Sequence, residues 1–239
     1  MNSQEFSNGF DTLVSSYRRF KDFDNKEILD SVEFNEYEKS FYLTKAQEDL
    51  VVSLYSGRNS YGEPFEGTEE MRRYLSPLVM EAKLQPVQGG GGILGMGSSS
   101  KFFTLPDDLM FITYESVVTS NGKCGEGSQL DVYPVTQDEY HKVKRNPYRG
   151  ANDRRALRLD LSDGVIEVVS KYDVTDYYVR YLRKPAPIVL EDLPNGLEVD
   201  GVSSESRCEL DSTLHQRILE RAVMMALQSK LTGGNNKDK

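Results

Sequence analysis

The sequence has 239 residues, and its 38% hydrophobic and 10% aromatic content can bury the core of one large domain or two small ones. This composition excludes an intrinsically disordered chain. The formal net charge of −9 argues against a general nucleic-acid binder, because an excess of lysine and arginine supplies the affinity for phosphate.

The first third of the chain has the patterns of helices. The sequence predicts a helix over about residues 4–20, although Gly9 interrupts its helical pattern. Two capping boxes then predict two short helices that abut near Leu43, the second of which ends at Gly57. These boxes are Asn35 with Glu38 and Thr44 with Gln47. One more helix is expected between Thr68, a suitable N-cap, and Pro77, which removes a backbone donor.

Residues 88–100 read QGGGGILGMGSSS, in which Gly90, Gly92 and Gly95 satisfy the GxGxxG pattern of dinucleotide-binding proteins. That fingerprint needs a strand before it and a helix after it, so that backbone amides and the helix dipole meet the pyrophosphate. Pro86 breaks the segment before these glycines, and the segment after them lacks helical periodicity. The pattern therefore predicts no nucleotide site. We expect a flexible loop that contacts a partner protein at Gly92 and Gly95.

From residue 102 onward the apolar pattern alternates, which indicates strands. Residues 110–119 and 128–136 predict a hairpin around the turn cluster NGKCGEG. Residues 156–161 and the following VIEVVSKYD predict a second hairpin around the Ser-Asp-Gly turn at residues 162–164, and residues 177–190 predict one more strand. We expect a mainly antiparallel sheet of four or five strands.

The stretch over residues 137–161, QDEYHKVKRNPYRGANDRRALRLDL, combines a charged helix, a proline turn and an alternating strand. Seven basic residues in it are opposed between residues 142 and 158 only by Asp153: Lys142, Lys144, Arg145, Arg149, Arg154, Arg155 and Arg158. Such a reversal of sign in an acidic protein indicates a contact surface. The alternative is an ordinary solvated face on which the arginine stems pack. We expect five side chains to lie at protein interfaces: Arg145, Tyr148, Arg149, Arg154 and Arg155.

The last element is a helix from about Ser212 to Leu231 with a broad apolar stripe, after a connector over residues 191–211. The fold class is therefore α+β, with N-terminal helices, a central mainly antiparallel sheet and a C-terminal helix. We expect one structural unit made of four parts: a helical region (1–85), a Gly-rich flexible loop (86–101), a sheet region (102–190), and a connector with the C-terminal helix and tail (191–239).

The chain offers little material for catalysis or metal binding. His141 and His215 are its two histidines, and they lie in unrelated contexts. Cys124 and Cys208 have no CxxC spacing, so we expect free thiols. Acidic pairs at residues 107–108 and 191–192 lie near prolines, where turn and capping roles are usual. We expect no enzyme activity, no cofactor, no metal, no signal peptide and no transmembrane helix.

Several segments resemble a family of virion structural proteins of crAss-like bacteriophages of gut Bacteroidales. They are FNEYEKSFYLTKAQEDLVVSLY (34–55), LPDDLMFITYESV (105–117), VYPVTQDEYHKVKRNPYRGANDRRALRLDL (132–161) and CELDSTLHQRILERAVMMAL (208–227). These blocks occur in the family's order and cover well over half of the chain. By size and layout, the chain is most similar to a ring or adaptor protein of the head-to-tail connector in a short-tailed phage.

The resemblance implies a non-enzymatic homo-oligomeric ring, twelvefold, that docks beneath the portal protein and beside neighbouring tail or ring proteins in the virion. Assembly in the host cytoplasm and a channel for retention and ejection of genomic DNA, without sequence-specific binding, are part of the same expectation. An acidic subunit would repel passing DNA, and a ring contact needs two different faces on each subunit. The basic stretch and the acidic N-terminal helices are one such pair. The alternative is another virion component, such as a tail-ring or cargo and DNA-packaging protein with weak DNA binding.

Overall fold

The computed structural model describes residues 1–20, 33–58, 65, 67–87, 100–120, 127–194 and 196–234. The chain divides into two compact units. Unit 1 consists of Met1–Leu78 and Pro185–Lys239, and unit 2 consists of Val79–Lys184. Helices before and after a mainly antiparallel sheet confirm the predicted α+β class.

The described residues contain five α-helices, α1 (Ser3–Phe20), α2 (Glu36–Ser56), α3 (Glu69–Leu75), α4 (Gln137–Lys144) and α5 (His215–Gly234). Short 3-10 turns, Ser76–Leu78 and Ser212–Leu214, follow α3 and precede α5. In unit 1, α5 packs against both α1 and α2, which agrees with its predicted apolar stripe. No helix in the described ranges combines the length and apolar character needed to cross a membrane.

Helix α2 is continuous, so the prediction of two short helices meeting near Leu43 was wrong. Asn35 does form the predicted capping box, since its side chain accepts from Glu38 N at 2.7 Å while Glu38 accepts from Asn35 N at 3.2 Å. Thr44 caps nothing. Its hydroxyl donates to Ser40 O at 2.9 Å within the helix and accepts from Ile188 N at 3.0 Å. A buried mid-helix threonine thus mimics a cap in the sequence, because both roles use its hydroxyl.

Helix α1 is continuous through Gly9. This glycine provides space for a neighbouring helix. A Cβ atom at this position would lie 2.7 Å from Leu219 Cδ2 on α5. The absence of a side chain therefore permits close approach of the two helices. The predicted cap at Gly57 is confirmed, with φ of 75° in the left-handed region that glycine tolerates.

Unit 2 is a seven-stranded sheet with the order β1-β7-β3-β4-β5-β6-β2. Its strands are β1 (Val79–Leu84), β2 (Ser100–Thr104), β3 (Leu109–Ser120), β4 (Ser128–Pro134), β5 (Arg155–Asp160), β6 (Val165–Val169) and β7 (Asp173–Arg183). All neighbours are antiparallel except β4 and β5, which are connected through α4. The sheet curls, and an isolated pairing of Val87 with Phe102 brings the chain after β1 beside β2. The core within unit 2 includes Phe103, Val117 and Tyr177.

Both predicted hairpins are confirmed, but the number of strands was underestimated. β3 pairs with β4, and β5 pairs with β6 through a turn in which Asp163 and Gly164 have φ of 58° and 69°. The two strands missed are β1, which lies within the part expected to be helical, and β2, which lies at the end of the expected loop. The Gly-rich loop itself, with Gly92 and Gly95, falls outside the described residues.

Candidate functional site

Helix α4 carries the start of the basic surface that the sequence predicts. Its inner side chains Tyr140 and Val143 pack on Leu157 and Leu159 of β5, so the helix is fixed on the outer face of the sheet. Lys142, Lys144 and Arg145 are exposed on the other side. We call residues 142–155 the basic segment.

The proline turn after α4 is held by Asn146. Its side-chain oxygen accepts from the backbone N–H of Tyr148 at 2.9 Å and of Arg149 at 3.3 Å, and its carbonyl accepts from Gly150 N at 2.7 Å. Gly150 is buried, and a Cβ there would lie 2.9 Å from Asn146 O and 3.2 Å from Val143 O. The turn is therefore compact, and a side chain at position 150 would force the backbone around it to shift. It presents Tyr148 outward, where its side chain is 86% exposed.

A second local device holds the chain that follows. Asn152 and Arg155 exchange backbone hydrogen bonds of 2.9 and 3.4 Å, and Asn152 Oδ1 accepts from Arg154 N at 2.9 Å. Asp153 accepts from Lys171 Nζ at 2.6 Å and Tyr172 Oη at 2.7 Å. The bond from Lys171 is the main reason that the pKa of Asp153 lies below its ordinary value. The one acid inside the basic segment is thus already neutralised from outside the segment.

Three arginine side chains of the basic segment have no partner among the residues that the structure describes. Arg145, Arg149 and Arg154 are exposed, and within the described ranges their guanidinium groups bond to no other residue. Each offers a planar set of donors suited to carboxylates, carbonyls or phosphates. These three side chains can therefore bind a second molecule without first breaking contacts of their own.

Arg155 differs from the other arginines because it is partly buried and already engaged. Its guanidinium carbon lies 4.2 Å from the centre of the Tyr133 ring, and Nη1 donates to Tyr148 O at 2.9 Å. It joins the proline turn to strand β4. Its predicted role at an interface stays a prediction, and its observed contacts give it a structural role as well.

Arg158 does not belong to this exposed surface, which corrects the inclusion of all seven basic residues in one contact patch. Its Nη1 lies 2.6 Å from Glu115 Oε1, and the two side chains are only 11% and 8% exposed. Tyr177 donates to the other Glu115 oxygen at 2.6 Å. Burial raises the pKa of Glu115, and the bonds from Tyr177 and Arg158 oppose that rise. Side chains alternate along β5, and this alternation points Arg158 into the core of unit 2. The proline turn after α4 leaves Arg149 exposed instead.

A feature that the sequence did not reveal lies beside Arg155, on the outer face of strands β7, β3 and β4. Tyr114, Tyr133 and Tyr178 are 48%, 44% and 37% exposed there, and we call these three the tyrosine face. A groove of about 400 Å³ is lined by Tyr114 and Tyr178, and another of about 410 Å³ is lined by Tyr114 and Tyr133. Exposed tyrosine and arginine are the residue types that anchor protein interfaces.

The arrangement of the basic segment and the tyrosine face is suited to binding another molecule. Among the described residues no group of three His, Cys, Asp or Glu could hold a metal ion. His215 is buried, its Nε2 lies 3.1 Å from Leu210 O, and burial is the main reason that its pKa is lowered. His141 lies exposed on α4.

The charge of the chain is divided unevenly between its units. Unit 2 contains fourteen acidic and fourteen basic residues, so unit 1, with the remaining 24 acidic and 15 basic residues, carries the whole net charge of −9. The basic segment is therefore part of a unit with no net charge, and the excess of acidic residues belongs to the other unit. The two units of one chain therefore differ in net charge by nine.

Comparison with known proteins identifies the family. Over residues 1–238 the chain matches the family described as phage tail ring protein 3/4. It is 44% identical over 241 residues to ring protein 3 of Bacteroides phage crAss001, with both chains covered completely. It is 31% identical over 244 residues to ring protein 4/5 of the same phage, which covers 95% of this chain and 92% of that protein. The resemblance to crAss-like virion proteins is confirmed, and the chain belongs to the phage tail ring protein 3/4 family.

Proposed function

We propose that this protein assembles as a ring of twelve identical subunits in the head-to-tail connector, below the portal protein. The ring would surround part of the channel through which genomic DNA is retained and ejected, and would contact neighbouring ring or tail proteins. The observation that carries this proposal is the match to a ring-protein family over residues 1–238. Membership in that family indicates a structural role.

The surfaces of the chain support assembly into a ring. A closed ring of identical subunits uses a heterologous contact, in which one patch on each subunit meets a different patch on the next. The basic segment of unit 2 and the acidic unit 1 differ in this way. Their opposite charge also favours the correct partner and speeds association.

The same three exposed arginines support a second candidate, a DNA-binding packaging protein. Arg145, Arg149 and Arg154 could contact phosphate as well as carboxylate. Binding of this kind weakens steeply as salt is raised, because condensed counterions are released from the DNA. Ring assembly and DNA affinity are therefore measured on the same samples.

The direct test is the mass and shape of the purified full-length chain. Twelve copies of the 27.1 kDa chain have a mass of about 325 kDa, which sedimentation equilibrium measures and electron microscopy shows as a ring. Addition of purified portal rings should yield a joint complex, and a tagged subunit should be located between head and tail in virions. A subunit located at the capsid shell, or inside the head with the DNA, would overturn the proposal.

A variant with Arg149→Ala and Arg154→Ala tests the interface role of the basic segment. We expect a folded chain that fails to join the connector, because each exposed pair contributes about 0–1 kcal/mol and two are lost at every contact of the ring. Including Arg155→Ala would confuse the result, since that guanidinium also holds the turn and packs on Tyr133. Normal tailed particles from the double variant would exclude these two arginines from the interface.

A further inference from the structure

Unit 1 contains a loop that is rich in acidic residues. We define the acidic loop as residues 191–194 and 196–205. It contains Glu191, Asp192, Glu198, Asp200 and Glu205, and its sequence includes no lysine or arginine. Glu191 and Glu198 are exposed and bond to no other residue in the described part of the chain.

The loop is pre-organised by its own backbone. Val199 and Val202 exchange hydrogen bonds of 2.9 and 3.0 Å, and Leu193 N donates to Ser203 O at 2.7 Å. The turn between Val199 and Val202 uses Asp200 and Gly201 with φ of 49° and 80°, the geometry of a two-residue hairpin. Buried Leu193 and Val199 anchor the loop on a small apolar cluster. Binding would therefore lose little conformational entropy on this side.

The loop also carries an apolar residue in the sequence between Glu191 and Glu198. Leu197 is 42% exposed and immediately precedes Glu198. An apolar side chain flanked by acids is complementary to an aromatic surface flanked by exposed arginines. The tyrosine face supplies the first part and the basic segment the second, and Arg155 connects the two by contacting both Tyr133 and Tyr148.

We infer that the acidic loop of one copy of this chain docks on the tyrosine face and basic segment of the next copy. This inference rests on the proposed ring and names the contact that builds it. Leu197 packs against Tyr114 and Tyr133, while Glu191 and Glu198 bond to Arg149 and Arg154. The two patches differ, so the contact is heterologous and repeats around the ring.

Charge reversal on each side, and then on both, tests the docking. The basic variant is Arg149→Glu with Arg154→Glu, the acidic variant is Glu191→Lys with Glu198→Lys, and the swapped variant combines all four changes. We expect each two-site variant to lower the ring fraction by about tenfold or more at low salt, and the swapped variant to restore it. A merely structural role cannot be rescued in this way. Arg58→Glu with Arg72→Glu reverses two exposed arginines outside both patches and should leave rings intact.

A photocrosslinking residue at position 197 gives an independent measurement on otherwise unchanged rings. Mass spectrometry should locate the adduct between copies in β3 or β4, near Tyr114 or Tyr133. Adducts confined to α-helices of unit 1 would overturn the inference. So would rings that persist in both two-site variants, although the proposed ring function would then stand. If the basic variant keeps its rings but loses salt-sensitive DNA binding, the arginines serve DNA and the docking assignment is wrong.

Discussion

Replacing Arg158 with methionine should destabilise unit 2 strongly, because it leaves the Glu115 carboxylate buried without its cation. The two charges are 2.6 Å apart, and their side chains are nearly inaccessible. Removing one partner of a buried ion pair typically lowers the free energy of unfolding by about 3–5 kcal/mol. Tyr177 keeps its 2.6 Å hydrogen bond to Glu115, so we expect the lower end of this range, about 3 kcal/mol.

A double-mutant cycle isolates the charge effect. Glu115→Gln preserves an oxygen acceptor for Tyr177 but removes the charge, so adding it to Arg158→Met should recover about 2 kcal/mol. Hydrogen exchange of β3 and β7 amides measures the stability of unit 2 without assuming that both units unfold together. If the losses of the two single variants simply add, the buried-charge explanation is wrong.

The same variant has a predictable dependence on pH. Burial already raises the pKa of Glu115, and loss of Arg158 should raise it further. A carboxyl whose pKa is higher in the folded than in the unfolded chain destabilises the fold only when it is ionised. The deficit of Arg158→Met should therefore be complete above the folded-state pKa and shrink as pH falls towards the ordinary pKa of glutamate. A deficit that does not change with pH would refute this account.

Gly150→Ala should lower the free energy of unfolding by about 1–3 kcal/mol, because its Cβ would lie 2.9 Å from the backbone oxygen of Asn146. Urea unfolding measures this loss, and an unchanged midpoint would contradict the prediction. Gly9→Val should also destabilise, by about 1–3 kcal/mol, through contact with Leu219, with helix–helix packing followed by hydrogen exchange in α1. Burial raises the pKa of the Cys208 thiol to about 11. In a folded variant that lacks the other cysteine, this thiol should therefore react with thiol reagents at pH 8 far more slowly than it does in the denatured chain.

Patterns that local chemistry determines could be predicted from the sequence. The Asn35 capping box, the Gly57 cap and the Asp-Gly turn at residues 163–164 depend on a few neighbouring residues, and all were found as expected. β1 could not be recognised, because VMEAKL has the composition of a helix and becomes a strand by pairing with β7. In that segment tertiary pairing overrides propensity.

The candidate site shows the same limit at the level of single side chains. Tyr177 and Tyr178 are adjacent, yet the first is buried against Glu115 and the second lies on the tyrosine face. Alternation fixes that they point to opposite sides, but only the pairing of β7 with β1 and β3 decides which side is covered. Arg155 and Arg158 are likewise equivalent in the sequence and different in the fold.

The net charge of the whole chain also needs the fold before it can be interpreted. Unit 2 pairs several of its bases internally, as Lys171 with Asp153 and Arg158 with Glu115 show, while the arginines of the proline turn keep no such partner in the described residues. These arginines are the groups most able to hold DNA phosphates. In the proposed ring, covering them with the acidic loop of a neighbouring copy would make them inaccessible to DNA in the same step that builds the ring. Assembly and low adhesion to passing DNA would then follow from one contact, which the net charge of −9 alone does not imply.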